Sequence, residues 1–233
     1  MTYVMSDLHG QYEKYRKMLE LIRFGDSDDL YILGDVVDRG PEPVEFLRDM
    51  SGRINVFPLL GNHDLTAALL LKQLFRARTE DSFAFSLTPE VLETVSLWLT
   101  DGGQTTFDGF RKLPGKDRRF LLLYPEEFFP YETVTAGGHT FFLVHGGVPW
   151  EKRNVLLSEQ SVYDLVSERP DYSKRYYRDA YLVTGHTPTL HIGEEYRGRI
   201  FKGNGHIAVD CGAGFCLPLG CIRLEDLREF YVE

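Results

Sequence analysis

The chain reads as an α/β protein, and three observations say so. Short apolar runs alternate with amphipathic helical segments through the first third, in the order β-α-β-α-β-α. Each of those runs ends in a polar loop rich in Gly, Asp and His, as strands feeding a shared crevice do. The composition is that of an ordinary folded domain, with 43% hydrophobic and 26% charged residues over 233 positions. A disordered tail, a collagen-like repeat and a coiled coil are excluded on the same numbers.

Element by element, Tyr3 to Met5 is a strand running into Ser6-Asp7-Leu8-His9-Gly10. Tyr15, Met18, Leu19 and Ile22 follow helical spacing, and Phe24-Gly25 ends that helix. Leu30 to Leu33 is a second buried strand before the loop Gly34 to Pro41, and Pro43 opens a helix carrying Phe46, Leu47 and Met50. Ile54 to Leu60 is a third strand, entering Gly61-Asn62-His63-Asp64 ahead of a helix over Leu65 to Leu74. Parallel strands with covering helices follow from this order. Residues 77–125 differ: Thr88-Pro89-Glu90 is a capped helix start, Asp101-Gly102-Gly103 stops that helix, and Lys116 to Leu123 is helical again. The segment reads as a helical cap inserted into one domain of residues 1–233. The remainder holds short strands over Glu127 to Thr135, Thr140 to Val144, Tyr181 to Val183, Gly205 to Val209, Leu217 to Leu224 and Arg228 to Val232.

The net charge of −9 and the absence of a Lys/Arg-dense block argue against a nucleic-acid surface. No apolar run reaches the roughly 18 residues of a membrane span, so no membrane partner is expected. The first ten residues show neither the basic nor the apolar region of a secretory signal, and with three cysteines this predicts a reducing, cytoplasmic setting. Cys211, Cys216 and Cys221 lack a fourth ligand and are expected as buried apolar thiols.

The chemistry concentrates where strands end. Asp7 and His9, then Asp35, Asp38 and Arg39, then Asn62, His63 and Asp64, then His145, then His186 occupy five loops that one crevice would gather. Carboxylate, imidazole and amide oxygen together suit Mn, Fe or Zn, and there are more ligands than one ion takes. Taken singly, each has a plainer reading: the aspartates as helix caps, Asn62 as a turn residue, His145 and His186 as core histidines, Arg39 as a surface ion pair. The joint pattern and the flanking glycines outweigh those readings.

Those residues resemble the blocks of the metal-dependent phosphoprotein phosphatase family within the calcineurin-like metallophosphoesterases, particularly its small bacterial serine/threonine phosphatases. Ser6-Asp7-Leu8-His9-Gly10, Gly34-Asp35-Val36-Val37-Asp38-Arg39-Gly40, Gly61-Asn62-His63-Asp64, His145-Gly146-Gly147 and Gly185-His186-Thr187 stand in family order, from residue 5 to about 214. Ser6 replaces the family's usual Gly, and Asp64 a common Glu. The resemblance implies a four-layer fold of two packed mixed sheets flanked by helices. It implies two divalent metals, Mn first with Fe or Zn as alternatives. Asp7 and His9 would bind the first metal, Asp35 would bridge, and Asn62, His145 and His186 would complete the second. His63 would be the general acid, oriented by Asp38. Arg39 would hold phosphate, with Arg169 as its partner and Arg153, Arg175 and Arg178 as rivals. Asp210-Cys211-Gly212 would shape the site. The implied activity is hydrolysis of phosphoserine or phosphothreonine in a phosphoprotein or phosphopeptide, by in-line attack of a metal-bridging hydroxide. The alternatives are hydrolysis of symmetrical dinucleoside polyphosphates and a non-catalytic phosphoprotein sensor. His139, His191 and His206 match no block and are expected as structural, and Tyr172, Tyr176, Tyr177 and Tyr181 as packing residues.

Overall fold

Strand alternation in the N-terminal third generates two opposed cores. In the computed structural model, which describes residues 1–76 and 88–233, β1 (Thr2–Met5) sends Tyr3 and Met5 to one side and Val4 to the other. β1, β2 (Asp29–Ile32) and β3 (Val56–Pro58) pair in parallel through α1 (Tyr12–Ile22) and α2 (Pro43–Ser51). α3 (Asn62–Arg76) follows β3. Two C-terminal strands extend this sheet, β9 (Leu219–Arg223) antiparallel to β1 and β10 (Arg228–Val232) antiparallel to β9, giving the order β10-β9-β1-β2-β3.

The second sheet has the order β4-β5-β6-β8-β7. Its parallel centre is β5 (His139–Val144), β6 (Ala180–Thr184) and β8 (His206–Ala208). The antiparallel edges are β4 (Tyr131–Ala136) and β7 (Phe201–Gly203). Val4, Leu33 and Ile222 of one sheet meet Phe141, Leu143, Val183 and Ile207 of the other in a core closed to water. Each such side chain contributes about 1.5–3 kcal/mol on burial. Helices cover the outer face of the first sheet through Tyr15, Met18, Phe46 and Leu71. α7 (Val162–Ser167) and a Trp150–Tyr176 contact cover the second. The expected four layers are thus present, and the carboxyl ends of the parallel strands of both sheets open on one crevice.

The cap is richer than its sequence suggests. α4 (Pro89–Trp98) starts as expected, with Pro89 in the first turn and the Thr88 hydroxyl accepting from Val91 N at 3.4 Å. Asp101 and Gly102 leave helical geometry, but the chain turns directly into an unexpected helix, α5 (Gln104–Lys112). Gly102 takes φ 105°, which lets Asp101-Gly102-Gly103 act as a corner. α6 (Gly115–Leu123) completes the described cap, whose residues 77–87 lie outside the described residues. β7 and α7, three and six residues long, carry too little periodicity to be read from sequence. Cys211 and Cys221 are buried as expected, but Cys216 is exposed, because it closes the Ala213–Phe215 turn in left-handed geometry at φ 62°. Tyr172 and Tyr176 pack on His206, and Tyr181 stacks on Phe141. Among the described residues no helix is long and apolar enough to cross a membrane.

Candidate active site

Six of the residues singled out from sequence hold backbone conformations that L-residues avoid. Asp7, His9, Asp35, Asp38, Arg39 and His186 all have φ between 43° and 70°. Such conformations cost of order 1–3 kcal/mol each and persist where surrounding structure enforces them. The enforcement is visible: Asp7 N donates to Gly34 O, His9 N to Asp35 O and Gly10 N to Val36 O, lacing the first two loops together. Asp64 ties the third loop to the second. Its Oδ1 accepts from Val36 N and Val37 N, and its Oδ2 from Gly61 N. Gly61 lies so close to Asp35 that a Cβ there would overlap the carboxylate.

Asp35 is the centre of the cluster. One carboxylate oxygen is 3.7 Å from His9 Nε2 and the other is 3.4 Å from His145 Nε2. His145 Nε2 is also 3.0 Å from Asn62 Oδ1. His9 Nδ1 donates to Val37 O at 2.9 Å and His145 Nδ1 to Leu33 O at 2.5 Å, so both rings turn Nε2 toward Asp35. Ligand-capable atoms of Asp35, His145 and His186 lie within 4.8 Å of one another, and so do those of His9, Asp35 and His63. Asp7 lines the same cavity outside both triads; its Oδ2 accepts from His186 N at 2.9 Å and from the Ser6 hydroxyl, a partner the sequence did not disclose. This donor set fits divalent cations of the Mn, Fe and Zn class, with Asp35 shared between two groups.

Electrostatics point the same way. Burial pushes Asp7 up to about 6, and Asp35 adds to it against the opposing pull of His145. Burial likewise raises Asp210 well above its usual range, with Asp7 adding to it. Burial is the largest influence on Asp35 and opposes its ionisation, but the combined pull of His145, His9 and His63 with the His63 backbone N–H holds the carboxyl below its usual range. Burial lowers His9 to about 3 and His186 to about 4, leaving both as neutral ligand-ready rings. Crowded carboxylates beside neutral imidazoles are what a cation would relieve.

His63 differs from these rings. Burial acts to lower it, yet the bond from Nδ1 to Asp38 Oδ2 at 2.8 Å and the charge of Asp35 raise it to about 9. It is therefore an imidazolium at neutral pH, and its Nε2–H cannot accept from Arg39 Nη2, 3.0 Å away. The two donors instead face one space, as donors converging on an anion do. Arg39 also donates to His9 Nε2 at 2.6 Å and lies 3.6 Å from Asp101 Oδ1.

The cavity at this point measures about 240 Å³. Asp7, Asp35, Arg39, Asn62 and His63 line it, as does Arg169, while Arg153 stacks on Trp150 and Arg175 donates to backbone carbonyls. Four further lining residues were not expected there, Pro188 among them. His191, expected as structural, is on the wall; Asp101 comes from the cap; Phe215 lies under Arg39, ring centroid to guanidinium 4.6 Å. Asp101 belongs to the cap turn legible in sequence, but nothing in the spacing of His191 or Phe215 signals their place.

Residues 2–212 match the family described as calcineurin-like phosphoesterase. The chain belongs to that family. Among curated relatives, this phosphoesterase is 33% identical over 99 residues to a symmetrical bis(5'-nucleosyl)-tetraphosphatase from Wigglesworthia glossinidia brevipalpis, covering 42% of the chain and 36% of the relative. It is 27% identical over 175 residues to one of the same name from Shewanella loihica, covering 73% and 53%. The phosphoesterase thus matches about half or less of the length of these relatives. Its fold resembles a crystal structure provisionally assigned as a diadenosine tetraphosphatase, with TM-score 0.67, 16% identity and coverage of 99% and 92%. It also resembles a protein serine/threonine phosphatase from Saccharomyces cerevisiae, with TM-score 0.54, 13% identity and coverage of 94% and 71%. The likeness to protein phosphatases is thus one of fold, while the named sequence relatives are tetraphosphatases. The name those sequence relatives carry is that of the alternative activity weighed in the sequence analysis.

Proposed function

We propose that this phosphoesterase hydrolyses symmetrical dinucleoside polyphosphates, cleaving a phosphoanhydride. The observation that carries the reading is Phe215. The residue is 55% exposed at the rim of a cavity whose other lining residues, Pro188 apart, are Asp, Asn, His and Arg, and its ring face is already engaged by the phosphate-binding candidate Arg39. An aromatic face beside a phosphate site suits a nucleobase, and base–aromatic stacking is worth about 1–3 kcal/mol. The names of the sequence relatives support the same substrate class.

Asp7, His9, Asp35, Asn62, His145 and His186 would hold two divalent cations, which when bound supply Lewis acidity and lower the pKa of water toward neutrality. The remaining work falls to the chain itself. Arg39 and Arg169 bind phosphoryl oxygens, Arg39 through its planar fork. His63 delivers a proton from Nε2 to the departing oxygen while Asp38 holds Nδ1–H and the ring's orientation. Deep burial of Asp35 and Asp38 keeps bulk water from screening these charges.

A second reading, phosphoserine or phosphothreonine hydrolysis, is favoured by the His63–Asp38 pair, because a seryl alkoxide is a poor leaving group that needs the acid. The manganese-supplemented protein is to be offered diadenosine tetraphosphate and a phosphoserine peptide side by side. The expected result is faster release of ADP as the sole nucleotide product, with Phe215→Ala raising KM for the dinucleotide about tenfold and sparing p-nitrophenyl phosphate. Preference for the peptide, or indifference of dinucleotide KM to Phe215→Ala, sinks the reading.

A further inference from the structure

None of the proposed metal ligands comes from the cap, yet the cap reaches the catalytic pair. Asp38 is fully buried, and its carboxylate accepts three side-chain donors. His63 Nδ1 and Trp98 Nε1 share Oδ2 at 2.8 and 2.9 Å. Thr106 Oγ1 donates to Oδ1 at 2.7 Å, and the same hydroxyl accepts from Asp38 N at 2.9 Å. Trp98 ends α4 and Thr106 lies in the first turn of α5, so the two donors flank the Asp101–Gly103 corner. The corner is built for this approach. Gly103 packs so tightly on the Trp98 indole that a Cβ would overlap the ring, and Gly102 O accepts from Arg39 N at 2.9 Å.

A buried carboxylate facing a single imidazole could rotate and present either oxygen. With Oδ1 held by Thr106 and Oδ2 by Trp98, one orientation remains, and it aims the His63 ring. We propose that Trp98 and Thr106 are positioning residues for His63, so that the cap insertion governs protonation of the leaving group and not metal binding. The inference rests on His63 as the acid, as proposed above. Loss of the Thr106 hydroxyl leaves Oδ1 without its side-chain donor, loss of the Trp98 N–H leaves Oδ2 to His63 alone, and either loosens the ring, an effect of about 1–1.5 kcal/mol, or roughly tenfold in rate.

The test uses the full manganese-loaded chain, with phenyl phosphate as the ester whose leaving group needs protonation and p-nitrophenyl phosphate as the ester that needs it less. Trp98→Phe and Thr106→Val are expected to lower kcat about tenfold on phenyl phosphate and less than about threefold on p-nitrophenyl phosphate. Bound metal per chain should not change, and Thr106→Ser, which keeps the hydroxyl, should stay within about twofold of wild type on both. His63→Ala is the reference. If it slows both esters equally, the acid assignment fails and this inference with it. If it discriminates between them while Trp98→Phe and Thr106→Val do not, only the inference falls. Independently of turnover, the His63 Nδ1–H resonance of metal-free protein labelled at histidine nitrogen should move in Trp98→Phe and Thr106→Val and stay in place in Thr106→Ser. An unmoved resonance in the first two overturns the proposal.

Discussion

The two sheets contribute unlike chemistry to the crevice between them. The loops after β1, β2 and β3 bring Asp7, Asp35, Asp38 and Asp64, together with His9, His63 and Arg39, in a lattice of backbone bonds that forces left-handed conformations. The loops after β5, β6 and β8 bring His145, His186 and Asp210, and of these His186 alone has a positive φ. The first sheet thus carries the strain, the acid and most of the negative charge. The second contributes two imidazoles that close the far side of Asp35. Asp35 belongs to the first sheet, but its two oxygens divide between His9 on one side and His145 on the other. The site is therefore a seam, and neither sheet holds a complete donor set.

This contrast can be broken most directly at Asp35. Asp35→Ala should release metal from both sides and lower turnover on the order of 10³-fold or more, as elemental analysis beside a p-nitrophenyl phosphate assay would register. Retention of full metal would mean that the two sheets bind ions independently. A finer cut compares His9→Ala with His145→Ala. Each should remove about one ion per chain and lower turnover on the order of 10²-fold, one from each side of the seam. Loss of both ions from either variant would show a single cooperative site.

The acid pair gives a pH signature in metal-free protein. His63 titrates near 9 when folded, because burial is outweighed by Asp38 and Asp35, against about 6.5 when unfolded. The folded state binds its proton more tightly, so its added stability is complete below about 6.5 and is lost as pH rises through about 9. Thermal unfolding between pH 6 and about 10 should show this decline in wild type and not in Asp38→Asn. The smallest effect belongs to Asp101, which is exposed and 3.6 Å from both Arg39 Nη2 and His63 Nε2. Asp101→Asn removes an anion that competes with phosphate and should lower KM about two- to threefold with kcat unchanged. An increase in KM would mean that Asp101 orients Arg39 for substrate.

Much of this was legible because the residues are local. Gly34 to Gly40 packs Asp35, Asp38 and Arg39 into one loop, and helical or alternating spacing marks the elements on either side. Arg169 could be picked from four arginines but not secured by spacing, since the cavity wall is assembled by tertiary contact. Ser6 beside Asp7, Asp64 across two loops, and Phe215 under Arg39 are likewise invisible in a linear reading.

By itself the amino-acid sequence determined the α/β architecture, the order of the strand-end loops and the donor types they carry, because periodicity and turn chemistry act over a few residues. Only the tertiary structure decided which oxygen of Asp35 faces which imidazole, that Trp98 and Thr106 hold Asp38 from 60 and 68 positions away, and that an aromatic ring borders the phosphate site. Those relations depend on how sheets and cap pack in space, and hydrogen bonds and charges act through that distance and not through separation along the chain.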